Sequence, residues 1–264
     1  MTELQFISVG ANVSLAVDAA PENGKPVILL SNSVGASLGM WDEFVARCGD
    51  DFRIIRYDTR GHGKSQVTDE AITIETLAGD ILRIMDALKV GKATLCGLSL
   101  GGLTAQWLGV NHPDRFDRIV LANTAANFPP ATMWQDRAKA VRENGMEPLV
   151  QATIERWFTK SFRDAFPQRA SEIAAMFGGT SPIGYARCCE VLGSTDMLSE
   201  LNSLTLPVQI ICGAHDPSTP PSRGEELVKA IPNASMINLN AAHISSIEDA
   251  DGFAAAIKAF CGND

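Results

Sequence analysis

The sequence predicts an α/β protein: a mostly parallel sheet of eight strands, helices on both faces and an inserted helical cap. Three observations carry this. Short apolar strand-like runs alternate with helix-like stretches, the pattern that places a parallel sheet between helical layers. One junction, Gly97-Leu98-Ser99-Leu100-Gly101, reads as a strand running through a tight turn straight into a helix. The interval 127–204 breaks the alternation, with helix-like stretches and no clear strand. The chain has 264 residues, 45% of them hydrophobic and 20% charged. That composition is globular, and the length suits a single α/β domain with an insertion.

The strands expected in order are Gln5–Val9, Val13–Val17, Val27–Leu30, Arg53–Tyr57, Ala93–Cys96, Arg118–Ala122, Val208–Cys212 and Ser235–Leu239. Helices are expected at Ile74–Leu88 and Leu103–Val110. In the cap they are expected at Met133–Asn144, Glu147–Trp157, Gln168–Phe177 and Ser181–Gly193, with a last helix closing the chain. The expected division is a core of residues 1–126 and 205–264, with a cap of 127–204 inserted after the sixth strand.

The junction at Ser99 is the chemical centre. A bare Gly-x-Ser-x-Gly arises by chance in about one chain in ten of this length, so it needs support. No Lys-Ser/Thr pair follows for a phosphate-binding loop, and no Gly-x-Gly-x-x-Gly occurs. Support comes from chain order. In the α/β-hydrolase fold a serine on such a turn is followed by an acid and then a histidine, each leaving a strand end. The run Val208–Cys212 breaks at Gly213-Ala214-His215-Asp216-Pro217, and Ser235–Leu239 is followed by Asn240-Ala241-Ala242-His243. Ser99, Asp216 and His243 are therefore the expected nucleophile, acid and base, all at the sheet edge where such folds bind ligands. Of the other histidines, His62 is read as a loop-stabilising residue, His112 as a surface residue at a helix end, and His215 as a neighbour of the acid unable to face both ways. The oxyanion donors are expected to be the backbone N–H of Leu100, directly after the nucleophile, and that of Val34. Val34 follows Asn32-Ser33, where many relatives of this fold carry His-Gly.

Composition narrows the setting. A net charge of −9 argues against a nucleic-acid partner. No apolar run is long enough to span a bilayer, and Met-Thr-Glu-Leu-Gln-Phe lacks the regions of a signal peptide. A cytoplasmic enzyme is expected. The six cysteines fit no zinc pattern, and all are read as reduced, with Cys188 and Cys189 packed in the core.

With these parts in place the chain resembles the 3-oxoadipate enol-lactonases. The matching segments begin with Leu30-Ser31-Asn32-Ser33, Met40-Trp41-Asp42 and Arg56-Tyr57-Asp58-Thr59-Arg60-Gly61-His62-Gly63. They continue with Cys96-Gly97-Leu98-Ser99-Leu100-Gly101-Gly102 and Ala122-Asn123-Thr124-Ala125. Those closest to this group are Arg156-Trp157-Phe158-Thr159, Gly184-Tyr185-Ala186-Arg187-Cys188-Cys189, Asp216-Pro217-Ser218-Thr219-Pro220-Pro221 and Leu239-Asn240-Ala241-Ala242-His243-Ile244-Ser245. Ser246 stands where the group often has Asn, and the decarboxylase domain fused to some relatives is not expected here. The resemblance implies hydrolysis of a small anionic enol-lactone to 3-oxoadipate, a step in aromatic breakdown, with no metal and no organic cofactor. The substrate's carboxylate then needs a cationic contact. Arg137 is the expected clamp and Trp134, three residues before it on the same helix face, a pocket wall. Trp157 is a further candidate for substrate contact, and Arg156 and Arg187 are alternatives for the carboxylate.

Two other readings use the same residues. One is a carboxylesterase or C–C bond hydrolase with the same triad, which a substrate panel separates. The other is a hydrolase fold kept as a ligand receptor or scaffold, which multiple turnover excludes. An Asp nucleophile, as in dehalogenases and epoxide hydrolases, is excluded by Ser99.

Overall fold

The computed structural model describes residues 4–10 and 13–262. Met1-Thr2-Glu3, part of the stretch read above for a signal peptide, lie outside the described residues. Eight strands form one sheet: β1 (Gln5–Gly10), β2 (Val13–Ala19), β3 (Val27–Ser31), β4 (Arg53–Tyr57), β5 (Ala93–Leu98), β6 (Phe116–Ala122), β7 (Val208–Gly213) and β8 (Ala234–Leu239). Their spatial order is β1-β2-β4-β3-β5-β6-β7-β8. β2 runs antiparallel to both β1 and β4, and all other pairs are parallel. Residues of β4, β5 and β7 are buried throughout, as expected for strands covered on both faces. Edge strand β1 mixes exposed and buried positions instead.

In the core the helices are α1 (Asp42–Cys48), α2 (Ile74–Ala87) and α3 (Leu100–Asn111). Between β6 and β7 come α4 (Ala131–Asn144), α5 (Val150–Trp157), α6 (Lys160–Ala165), α7 (Pro167–Gly178) and α8 (Pro182–Ser194). α9 (Pro221–Ala230), α10 (Ser245–Glu248) and α11 (Ala250–Cys261) complete the chain. The fold class is as the sequence predicts, and α4–α8 form the helical insertion. Expected elements are found within a few residues of their expected ends. α1, α6, α9 and the one-turn α10 are additions. The loop expected between His243 and the last helix is therefore interrupted by α10.

Parallel pairing aligns the strand ends that matter. Ser31 pairs with Gly97, Leu98 with Ala122, Ala122 with Ile211, and Gly213 with Leu239. The loops after β3, β5, β6, β7 and β8 therefore open on one edge, the usual ligand edge of such sheets. α3 is buried on most sides, including Gly101, Gly102, Leu103 and Ala105. It lies against β3, β5 and β6 as the central helix behind the turn.

The insertion is tied to the core at several points. Arg169 of α7 grips the Glu43 carboxylate of α1 through two hydrogen bonds, at 2.7 and 3.0 Å. At the neck of the insertion Asn127 bridges Asp196 within the insertion, and the Met197 N–H donates to the Ala126 carbonyl of the core at 2.9 Å. Gly61 of the core and Gly184 of α8 meet backbone to backbone, so a Cβ on either would overlap the other. The Phe177 and Tyr185 rings pack over Gly35 in the same way.

Candidate active site

Ser99 joins β5 to α3 with φ 57° and ψ −113°, a left-handed conformation that costs a non-glycine residue energy and marks functional turns. Its neighbours hold it there. The Ser99 N–H donates to the Ala122 carbonyl at 3.0 Å, and the Thr124 hydroxyl donates to the Ser99 carbonyl at 2.7 Å. A Cβ on Gly97 would overlap the Gly101 carbonyl, and one on Gly101 would overlap the Ser31 carbonyl. Only glycines let β5, α3 and the end of β3 come this close. Leu98 and Leu100 are buried on either side.

Asp216 and His243 come together from the loops after β7 and β8. His243 Nδ1 lies 2.8 Å from Asp216 Oδ2, so Nδ1 carries the shared proton and Nε2 is the acceptor. Asp216 is buried yet held by every nearby donor. Oδ1 accepts the Ser218 and Thr219 N–H groups at 2.8 and 3.1 Å, and Oδ2 accepts the Thr219 hydroxyl at 2.6 Å. Burial opposes ionisation, but His243 and these donors hold the carboxyl well below the usual carboxylate range.

Asn123, just past β6, was missed by reading the sequence for catalytic types. It is fully buried with φ 43°. Its amide donates to Asp216 Oδ2 and to the Ala242 carbonyl, both at 3.0 Å, and accepts the Ser245 hydroxyl at 2.5 Å. One side chain thus ties the acid to the residue preceding His243. The signal was present: Asn tolerates this backbone region better than most residues and sits at a strand end beside the elbow.

The loop after β3 is equally constrained. The His62 ring, fully buried, accepts the Gly35 N–H on Nε2 at 2.9 Å and donates from Nδ1 to the Arg60 carbonyl at 2.9 Å. Burial lowers its pKa to about 4, so it stays neutral and holds Val34's turn. The loop-stabilising role expected for His62 matches these contacts. Asn32 points away from the cavity, donating to the Tyr57 carbonyl and accepting the Trp41 indole N–H, each at 2.7 Å. Leu100 stands at the first position of α3, where an N–H has no intrahelical acceptor. Val34 lines the same cavity as Ser99.

A cavity of about 390 Å³ lies between this edge and the insertion, within the usual range for small-molecule sites. Ser99, His243, Val34 and Ser33 line its floor, and Trp134, Arg137, Arg156 and Trp157 its roof. The Ser33 hydroxyl is buried with no hydrogen-bond partner among the described residues. The Arg137 guanidinium lies 5.0 Å from the Trp134 ring centre. Neither Arg137 nor Arg156 has a carboxylate partner among the described residues, whereas cavity-lining Arg223 pairs with Glu226 at 2.8 Å. Burial and the charge of Arg137 both lower the pKa of Arg156. Arg187 does not line the cavity: it pairs with Glu190 and Asp69, each at 2.9 Å. Cys188 and Cys189 are buried behind it. His215 is exposed and bonded to Asn240 at 2.9 Å, and His112 ends α3 against the Trp107 ring. No group of three His, Cys, Asp or Glu side chains among the described residues is placed to hold a metal ion.

A serine on a strained strand-to-helix turn, sharing a cavity with the histidine of an Asp–His pair from later strand ends, is the arrangement of an α/β-hydrolase. The model of the alpha/beta hydrolase fold family matches residues 26–250. Among curated proteins, the chain is 39% identical over 235 residues to 3-oxoadipate enol-lactonase 2 of Acinetobacter baylyi, spanning 89% of this chain and 88% of that one. It is 38% identical over 266 residues to 3-oxoadipate enol-lactonase 1 of the same organism, spanning 99% and 98%. Its structure is similar to the crystal structure of the enol-lactonase from Burkholderia xenovorans LB400, with a TM-score of 0.94 and 39% identity over 97% of this chain and 100% of that one. The chain belongs to the 3-oxoadipate enol-lactonase family of α/β-hydrolases.

Proposed function

We propose that this protein hydrolyses 3-oxoadipate enol-lactone to 3-oxoadipate, with Ser99, Asp216 and His243 as its triad. The observation that carries the substrate class is the pair Arg137 and Arg156, two cations that line one cavity with Ser99 and have no carboxylate partner among the described residues. Two like charges facing one cavity repel each other, and a bound carboxylate between them relieves that repulsion. Trp134 and Trp157 then flank the ring.

His243 Nε2 takes the Ser99 proton as Oγ attacks the lactone carbonyl. The oxyanion that forms is held by the Val34 and Leu100 N–H groups, each such donor being worth about 2.7–4 kcal/mol of barrier. The Ser33 hydroxyl supplies a further donor toward the substrate. Collapse breaks the ring C–O bond, and the enol oxygen leaves with the proton from His243. Tautomerisation to the ketone removes the nucleophile that would re-close the ring. Water, deprotonated by His243, attacks the acyl-Ser99 ester, and the tetrahedral intermediate expels Ser99 with return of its proton. No step draws on a metal or an organic cofactor. No helix among the described residues is long and apolar enough to cross a membrane, in keeping with a cytoplasmic catabolic enzyme.

The test is steady-state opening of enzymatically generated enol-lactone by wild type and by Ser99→Ala. Wild type is expected to turn over many times and the variant to lose at least about 10³-fold in kcat, the scale seen when a triad serine is removed. An inactive wild type that hydrolyses simple aryl esters well would contradict the lactonase reading.

A further inference from the structure

Glu248 takes no part in the chemistry above, yet its carboxylate gathers donors from two distant segments. Oε2 accepts the Ala242 N–H at 2.8 Å. Oε1 accepts the Thr159 N–H at 3.1 Å and also the Thr159 hydroxyl. Ala242 immediately precedes His243. Thr159 caps α6 in the insertion, two residues after Trp157 of the cavity roof. A backbone bond reinforces the same seam, with the Ile244 N–H donating to the Trp157 carbonyl at 3.1 Å. The Ala242 backbone is thereby held on both sides, its N–H by Glu248 and its carbonyl by Asn123.

We propose that Glu248 is a positioning residue that sets His243 against Ser99 and links that setting to the cap. The proposal rests on the reading of Ser99 and His243 as nucleophile and base. The residue type fits the task. Three donors converge on one side chain, and an ionised carboxylate is acceptor-only, so none of them meets a competing donor. Glutamine keeps one oxygen but turns an NH₂ toward one of the converging donors, and alanine leaves them all without their acceptor. An error of about 1 Å in the base costs on the order of 100-fold in rate, so a backbone held on both sides is of direct catalytic value.

The test compares wild type, Glu248→Gln and Glu248→Ala by enol-lactone kinetics, melting temperature and labelling by a small dialkyl fluorophosphonate. In labelling, Ser99 Oγ bonds to phosphorus, fluoride leaves, and the Ser99 proton passes to His243. The rate, read by intact mass, reports serine–histidine alignment without recognition of the lactone. Glu248→Ala is expected to lose roughly 10-fold or more in both labelling rate and kcat while still folded, with Glu248→Gln in between. Labelling at the wild-type rate in both variants, with only melting temperature or KM altered, would overturn the proposal, because Glu248 would then serve the fold or the cap alone. A wild type that labels but does not open the lactone would remove the substrate reading and leave the labelling comparison decisive for Glu248. Glu248→Gln keeps the test open if Glu248→Ala does not fold.

Discussion

Asn123, Asp216 and His243 sit on three loops, and none of their mutual contacts is local in sequence. The pairing of Asp216 with His243 was legible because only a few histidines exist and chain order leaves one fitting pair. Asn123 was less so, because an Asn at a strand end is a weak signal whose meaning appears only once the fold places it between Asp216 and Ala242. Asn123→Ala removes these two bonds and the one from the Ser245 hydroxyl, and keeps a positive φ that alanine tolerates poorly. It is expected to lower kcat roughly 10-fold with a smaller change in KM, and to lower the melting temperature. Full kcat would show that Asp216 is held well enough by Ser218 and Thr219. Arg137 and Arg156 differ in how visible they were. Arg137 was favoured from helical spacing and Arg156 kept only as an alternative, whereas both line the cavity. A charge-assisted hydrogen bond is worth about 1.5–3 kcal/mol. Arg137→Met and Arg156→Met are each expected to reduce kcat/KM for the lactone roughly 10- to 100-fold, mainly through KM. Steady-state kinetics of the two single variants and the double variant would reveal their coupling.

At the scale of elements, the strands and long helices follow directly from buried apolar runs and 3.6-residue periodicity. The short ones do not. α6 and α10 have six and four residues, too few for periodicity to register, and they exist because Thr159 caps one and the seam beside His243 positions the other. The contact of the insertion with the Arg60–Ser65 loop was also invisible, since it depends on two glycines 123 positions apart meeting backbone to backbone. Gly184→Ala tests that contact. The added Cβ forces α8 away from Gly61, and α8 carries Tyr185 of the cavity wall. The expected result is a lower melting temperature and a raised KM, with less effect on fluorophosphonate labelling of Ser99, because Ser99, Asp216 and His243 sit at strand ends of the sheet rather than on the insertion. Calorimetry and the two kinetic assays separate these effects.

For the molecule as a whole, His62 makes stability depend on pH in a definite direction. An unfolded histidine titrates near 6.5, but folded His62 does so only at about 4 because burial disfavours its charged form. The unfolded chain therefore binds the extra proton first. The contribution of His62 to stability is intact above about pH 6.5, is lost as pH falls, and levels off below about pH 4. Buried Asp58 and Asp80 have raised pKa values and act in the opposite sense above their usual range, so wild type alone does not isolate the effect. The difference in melting temperature between wild type and His62→Gln is expected to shrink as pH falls from about 6.5 toward 4. A difference constant with pH would show that His62 is not held neutral. Beyond stability, the sheet edge, the loop after β3 and the insertion converge on one cavity lined by Ser99 and by the two cations Arg137 and Arg156. The most direct measurement of that design is kcat/KM of the wild-type protein for the enol-lactone and for the same lactone with its side-chain carboxylate masked as a methyl ester. The anionic lactone should be opened with many turnovers and preferred by at least about 10-fold. An equal or greater kcat/KM for the neutral lactone, or no opening of the anionic one, would contradict a site built around a carboxylate-bearing enol-lactone.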